Sequence, residues 1–235
     1  MKHINKRPEP DILREWRETQ EHSGVNCLFV EFQGKPKQET HQSLLNDQGW
    51  ICCYCCQAIT EKLSHIEHFD PQSLTKDAQG NNPASVTYQN LLASCGPLPT
   101  DPNDPNQRRT FPKHCGDYRK DNIIPISPLD SNCESYFVYN ISTGDIEADL
   151  KQSPQHQKEA DRTIKVLNLN DEDIKRKRLD ALYGFLLEHD IQDPQDAALL
   201  LTVCYQKEKD GDGHYKFDPF CVAIAYFLRS EFGLP

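Results

Sequence analysis

The sequence predicts an α+β chain, with a small irregular module through about residue 150 and a helical part after it. Three observations carry that expectation. Proline, asparagine and aspartate crowd residues 81–83 and 97–112, the chemistry of loops. A strand-like segment, Tyr136-Phe137-Val138-Tyr139-Asn140-Ile141, precedes the turn residues Ser142-Thr143-Gly144-Asp145 and then Ile146. From about residue 154 the apolar side chains recur at helical spacing. The 235 residues are 37% hydrophobic and 26% charged, which suits one globular domain or two closely packed ones. Such a chain can bury about 70% of its unfolded surface and requires no cross-link for stability.

Taken in order, Pro8 and Pro10 lead into Ile12, Leu13 and Trp16, a short amphipathic helix over residues 8–22. Residues 33–49 are polar and mixed, with Leu44 and Leu45 as the clear apolar anchor, so residues 1–49 read as a helical and irregular segment. Residues 50–150 form the central module and end in a β-hairpin over residues 136–146. Within 151–235, Asn170 or Asp171 can cap a helix carrying Ile174, Leu179, Leu182, Phe185 and Leu186 on one side. Pro194 opens another, with Ala198, Leu199, Leu201 and Val203. Asp218 followed by Pro219 is an N-cap and first-turn pair for a last helix over Phe220 to Phe232. There is no run of 18 apolar residues and no charged-then-apolar leader in residues 1–30, so neither a membrane span nor secretion is expected.

Ten cysteines are the unusual feature. Cys52-Cys53-Tyr54-Cys55-Cys56 holds two overlapping Cys-x-x-Cys pairs, Cys52 with Cys55 and Cys53 with Cys56. At that spacing a tight turn aims two thiolates at one tetrahedral zinc ion. A second pair must come from elsewhere, and Cys95 and Cys115 are the nearest candidates. Zinc would then close the proline-rich loop at its base and stabilise a region poor in apolar residues. Disulfides do not suit a chain without a leader, and no βαβ pattern surrounds the pair as in a thioredoxin-like redox site. Cys27, Cys133, Cys204 and Cys221 sit among apolar neighbours and read as small core residues.

Between the candidate zinc pairs lie Ile66-Glu67-His68-Phe69-Asp70-Pro71 and Tyr88-Gln89-Asn90-Leu91-Leu92-Ala93-Ser94-Cys95, followed by His114-Cys115-Gly116-Asp117-Tyr118-Arg119-Lys120. This order resembles the HNH endonucleases, in the form whose ββα-metal module is pinned by a four-cysteine zinc site. The family motif opens with Cys-x-Tyr-Cys, which favours Cys52 and Cys55 as the first pair. Glu67-His68 match its acidic residue and catalytic histidine, and Asn90-Leu91 match its Asn-Leu before a cysteine. The resemblance implies hydrolysis of phosphodiester bonds. His68 is then the general base, since imidazole is poised to deprotonate water near neutral pH. One divalent cation, Mg2+ or Mn2+, would neutralise charge on the phosphate and the leaving 3′ oxygen. Glu67 would hold that ion from a strand position facing away from His68, and Asn90 would fix the loop and orient the histidine. Where the family has a histidine or asparagine just after the last zinc cysteine, this chain has Gly116. Asp117, one further on, is the candidate for that third place as a carboxylate to the metal, with His114 its rival. His65 reads as a neighbouring surface or strand residue. The alternative is an architectural zinc module without activity, which only binds a partner or nucleic acid.

Met1-Lys2-His3-Ile4 with Glu9-Pro10 and Leu13 resembles the N-terminus of one bacterial HNH family, and Thr163-Ile164-Lys165-Val166-Leu167-Asn168-Leu169-Asn170 with Arg176 and Arg178 resembles a later part of it. That family is the nuclease subunit of the Septu anti-phage system, which also accompanies some retron defence operons. The likeness implies a cytoplasmic bacterial machine in which a partner of the SMC/ABC-like ATPase type holds or directs the nuclease. DNA is favoured over RNA as substrate, and the helices of 151–235 are the natural docking surface.

Asp210-Gly211-Asp212-Gly213-His214 hints at a calcium loop, but positions six and twelve hold Tyr215 and Cys221, so it reads as an ordinary loop. Lys175-Arg176-Lys177-Arg178 reads as a solvated basic face. A net charge of -10 argues against coating nucleic acid by charge alone. Residues 105–120 nevertheless collect Arg108, Arg109, Lys113, Arg119 and Lys120 against Asp117, a basic patch beside the proposed site.

Overall fold

In the computed structural model, residues 1–24, 27–77, 82–97 and 110–235 are described. Helix α1 (Asp11–His22) follows Pro10, buries Leu13 and sets Trp16 against Phe32, ring centroids 4.8 Å apart. Helix α2 (Gly34–Gln48) covers the stretch that reads as merely polar. Its apolar stripe is only Leu44 and Leu45, both fully buried, so amphipathic periodicity could not announce it. Tertiary hydrogen bonds hold it instead. The buried Gln48 amide donates to the carbonyls of Ile51 (2.9 Å) and Ala93 (2.8 Å) and accepts the Ala93 N–H (2.7 Å). Asp47 accepts from Arg7 Nε (2.6 Å) and the Tyr88 hydroxyl (2.7 Å). Gly49 ends the helix at φ 62°, the left-handed conformation that glycine adopts without penalty.

Strands β1 (Ser64–His68) and β2 (Leu91–Cys95) pair antiparallel, with Glu67 opposite Leu92 and His68 opposite Leu91. All of β2 is buried, as its apolar run Leu91-Leu92-Ala93 requires. Between the strands stand short 3-10 turns at Pro83–Val86 and Tyr88–Asn90. Helix α3 (Cys115–Arg119) packs on β2 and on helix α4 (Pro154–Leu167). Asn168, just past α4, donates to the Lys113 carbonyl (2.7 Å) and so ties α4 to the approach of α3.

Strands β3 (Phe137–Tyr139) and β4 (Ile146–Ala148) form the hairpin expected from the turn residues between them. Helix α5 (Glu172–Glu188) is capped by Asp171, whose carboxylate accepts the Asp173 N–H at 3.1 Å. Asn170, the other candidate cap, brackets Ile146 through its N–H and carbonyl instead. Helix α6 (Pro194–Cys204) is capped by Asp193, which accepts from Gln195 N (2.8 Å) and Asp196 N (3.0 Å). Asp193→Ala is therefore expected to cost about 1 kcal/mol of stability in denaturant unfolding; no measurable change would show that α6 does not depend on this cap.

Several sequence expectations are corrected. Helix α6 buries Ala197 and Cys204, while Leu199 is exposed, because only that narrow face meets helix α7 (Cys221–Phe232). Helix α7 starts after Phe220 rather than after an Asp218 side-chain cap. Phe220 adopts φ 57°, is buried, and donates its N–H to the Cys56 carbonyl at 2.8 Å, so tertiary contact sets the start. Arg178 is not on a solvated face: it is buried and donates to the carbonyls of Gly144 and Leu169. Cys27 is only partly buried at the edge of the core, whereas Cys133, Cys204 and Cys221 are buried. Residues 210–214 form the turn of a small hairpin, β5 (Glu208–Lys209) with β6 (Tyr215–Lys216), in which Asp210 accepts the N–H groups of Asp212 and His214. Among the described residues, buried side chains from Met1 to Leu228 form one contiguous cluster, and no helix is long and apolar enough to cross a membrane.

Candidate functional site

The cysteine knuckle is built where the chain turns after α2. The Cys52 carbonyl accepts the Cys56 N–H (3.1 Å), and the Cys53 N–H donates to Ala93 on β2 (3.1 Å), which aims Cys52 and Cys55 at the end of that strand. There Cys95 and Cys115 complete a buried group whose four sulfurs all lie within 4.8 Å of one another. The Cys52–Cys115 and Cys55–Cys95 sulfurs are 3.8 and 3.5 Å apart. Tetrahedral zinc with bonds of about 2.3 Å separates its sulfurs by about 3.8 Å, so the group fits that ion. Cys53 and Cys56 lie outside the group, and burial raises both of their thiol pKa values. Cys115 sits at φ 63°, uncommon for a residue with a side chain. That turn starts α3, whose Gly116 N–H donates to Ser94 Oγ on β2 at 3.2 Å.

Strand β1 and helix α3 bring acidic groups together. Glu67 on β1 is buried, with Oε1 accepting from Arg119 Nε (2.6 Å) and the Tyr54 hydroxyl (3.2 Å). Its Oε2 faces His65 Nε2 at 3.4 Å, and His65 Nδ1 lies 3.7 Å from Asp117 Oδ2. A Cβ at Gly116 would lie 2.6 Å from Glu67 Oε2 and 3.1 Å from His65 Nε2, so this glycine keeps open the space that a larger residue would fill. Burial would raise the Glu67 pKa, but His65 and Arg119 together hold it below the usual carboxylate range. Burial would lower the His65 pKa, but the two carboxylates raise it.

His68 lies next along β1 and projects to the other side, as strand alternation requires. Its Nε2 is 2.9 Å from the Ser85 carbonyl, which can only accept, so Nε2 carries the proton and Nδ1 the lone pair. The Gln72 amide is 3.4 Å from Nδ1, and Phe29 packs edge-on against the ring at 4.5 Å. Burial lowers the His68 pKa and favours the neutral base. No hydrogen bond joins the Asn90 side chain to His68. Its amide accepts Asp70 N–H (2.7 Å) and donates to Asp70 O (3.2 Å) and Ala84 O (3.1 Å). It thereby joins the loop after His68 to the turn carrying Ser85.

Glu67, His68 and Asp117 line one open cleft of about 290 Å³, together with His65, Phe29 and Lys120. His114 is not among the cleft's lining residues; its buried ring has Nδ1 3.1 Å from Cys115 Sγ. Arg119 is not part of a basic surface. It is almost fully buried, bound to Glu67 and to the carbonyls of His68 and Phe69. Lys113 and Lys120 are exposed, and Arg108 and Arg109 lie outside the described residues. In sequence His65 reads only as a neighbouring surface or strand residue and Arg119 as part of a basic patch, and Ser85 carries no signal. Strand alternation was a usable signal for His65, two residues before Glu67 on the same face. No sequence signal distinguishes a buried arginine from an exposed one in Tyr118-Arg119-Lys120.

No protein-family model matches the chain. Over 148 residues it is 29% identical to a protein of Vibrio cholerae serotype O1 biovar El Tor, a retron Vc95 protein whose name gives HNH endonuclease as an inferred identity. The match covers 63% of this chain and 65% of the relative's own length.

Proposed function

We propose that the chain is a metal-dependent HNH endonuclease that hydrolyses phosphodiester bonds, with DNA its favoured substrate. The observation that carries the reading is one cleft lined by His68, whose Nδ1 is left unprotonated, and by Glu67 and Asp117. His68 takes the proton of the attacking water at Nδ1, while the Ser85 carbonyl holds the opposite edge of the ring. Asn90 positions His68 through the two loops it joins. Glu67 and Asp117 would hold Mg2+ or Mn2+, which when bound neutralises charge on the phosphate and the leaving oxygen. Strand β1, strand β2 and helix α3, closed at one end by four cysteines, follow the order expected of a zinc-pinned ββα-metal module. The similarity to a retron protein named for this activity supports the same reading.

The chain would act as the nuclease of an anti-phage complex of the Septu or retron-associated kind, with an SMC/ABC-like ATPase as its partner. Among the described residues of 105–120 the exposed basic side chains are Lys113 and Lys120, which agrees with dependence on such a partner for holding nucleic acid. The test is cleavage of DNA and of RNA by the full chain copurified with the neighbouring ATPase, with Mg2+ or Mn2+. His68→Ala is expected to slow cutting by about 10²–10⁴-fold with zinc content unchanged.

One observation favours a second reading, a zinc module that binds without cutting: the Arg119 guanidinium already neutralises Glu67. Equal behaviour of wild type and His68→Ala across metals, with the partner present, would select that reading.

A further inference from the structure

We infer that His65 is a ligand of the catalytic cation, supplying from strand β1 a nitrogen that position 116 of helix α3 has no side chain to give. The inference deepens the nuclease reading and rests on it. Glu67 divides its two oxygens. Oε1 is taken by Arg119 and Tyr54, so Oε2 is the oxygen left to meet a cation. In the cleft Oε2 faces His65 Nε2 at 3.4 Å, on the same face of β1 because the residues are two apart.

The other ring nitrogen of His65 is buried, has no hydrogen-bond partner, and faces the Asp117 carboxylate at 3.7 Å. A histidine built only to brace the strand would be expected to bond through that nitrogen. The imidazole instead stands between two carboxylates at the edge of a cleft, a mixed nitrogen and oxygen donor set. Gly116 makes the arrangement possible, since any Cβ there would press on both Glu67 Oε2 and His65 Nε2. A nitrogen donor among carboxylates also favours a transition ion such as Mn2+ over Mg2+.

The zinc-loaded full chain, titrated with Mn2+ and followed by electron paramagnetic resonance, tests this without any cleavage assay. Wild type should bind one Mn2+ and show a ¹⁴N coupling from a directly bound imidazole. His65→Ala and His65→Gln should lose that coupling and weaken Mn2+ binding by at least about 10–100-fold, with the glutamine variant preserving the packing. Zinc content and melting temperature confirm that both variants are folded. The assignment is overturned if wild type shows no ¹⁴N coupling, if the coupling survives in both His65 variants, or if it disappears in His68→Ala instead. The two readings fail separately. A wild type that shows the coupling but cuts nothing loses the nuclease reading and keeps His65 as a ligand. A wild type that cuts without the coupling does the reverse.

Discussion

Chelating the metal from the four-cysteine group is expected to abolish the cooperative unfolding transition of the chain, and Cys52→Ser should do the same. Structural zinc contributes about 10–16 kcal/mol of apparent binding energy in small cysteine sites, against a total stability of about 5–15 kcal/mol for a typical domain. Removing it would leave four buried sulfurs packed within 4.8 Å of one another with nothing to hold them. The damage should spread beyond the knuckle. Cys53 is bonded to β2 through Ala93, the Cys56 carbonyl holds the start of α7 through Phe220, and Cys115 begins α3. Cys27→Ser, at a partly exposed position, is the control and should cost less than about 1 kcal/mol. Circular dichroism melting with and without chelator, alongside metal analysis, decides the matter. A metal-free chain that melts like the metal-loaded one would remove zinc from any structural role.

Arg119→Ala is expected to be the most damaging single substitution outside the cysteines, at about 3–5 kcal/mol. The cost would come less from the lost ion pair than from leaving the buried Glu67 carboxylate with only the His65 imidazole to offset its charge. It would also orphan the carbonyls of His68 and Phe69 at the end of strand β1. Because most of the penalty belongs to the stranded charge, Glu67→Gln added to Arg119→Ala should recover part of it. Urea unfolding of wild type, both single variants and the double variant closes the cycle. Simple additivity would mean that Glu67 and Arg119 are not coupled, and the electrostatic description of the cleft would fall with it.

Regular spacing was legible in the chain, and so were strong local signals. Tyr136–Ile146 read as a hairpin from its turn residues, and helix α5 from its apolar stripe and the capping Asp171. The four cysteines that meet in space are Cys52 and Cys55, favoured through the Cys-x-Tyr-Cys resemblance, and the expected second pair, Cys95 and Cys115. Helix α2 was not legible, because side-chain hydrogen bonds from Gln48 and Asp47 to distant backbone and side chains replace the apolar stripe that periodicity detects.

What the sequence by itself determined is the inventory of donors and their local order: two thiolates in a tight turn, a carboxylate beside a histidine on a strand, and a helical tail. The turn and the tail follow from backbone periodicity and short-range turn chemistry, which act over a few residues, and the strand place of Glu67-His68 is what the resemblance to HNH endonucleases implies. Only the tertiary structure decided which charges are spent and which are left to act. Folding buries Arg119 against Glu67, turns His114 toward Cys115, and brings His65 between Glu67 and Asp117. The physical reason is desolvation. A buried charge must find its partner wherever packing places one, and packing joins residues 52 positions apart, as it does Glu67 and Arg119.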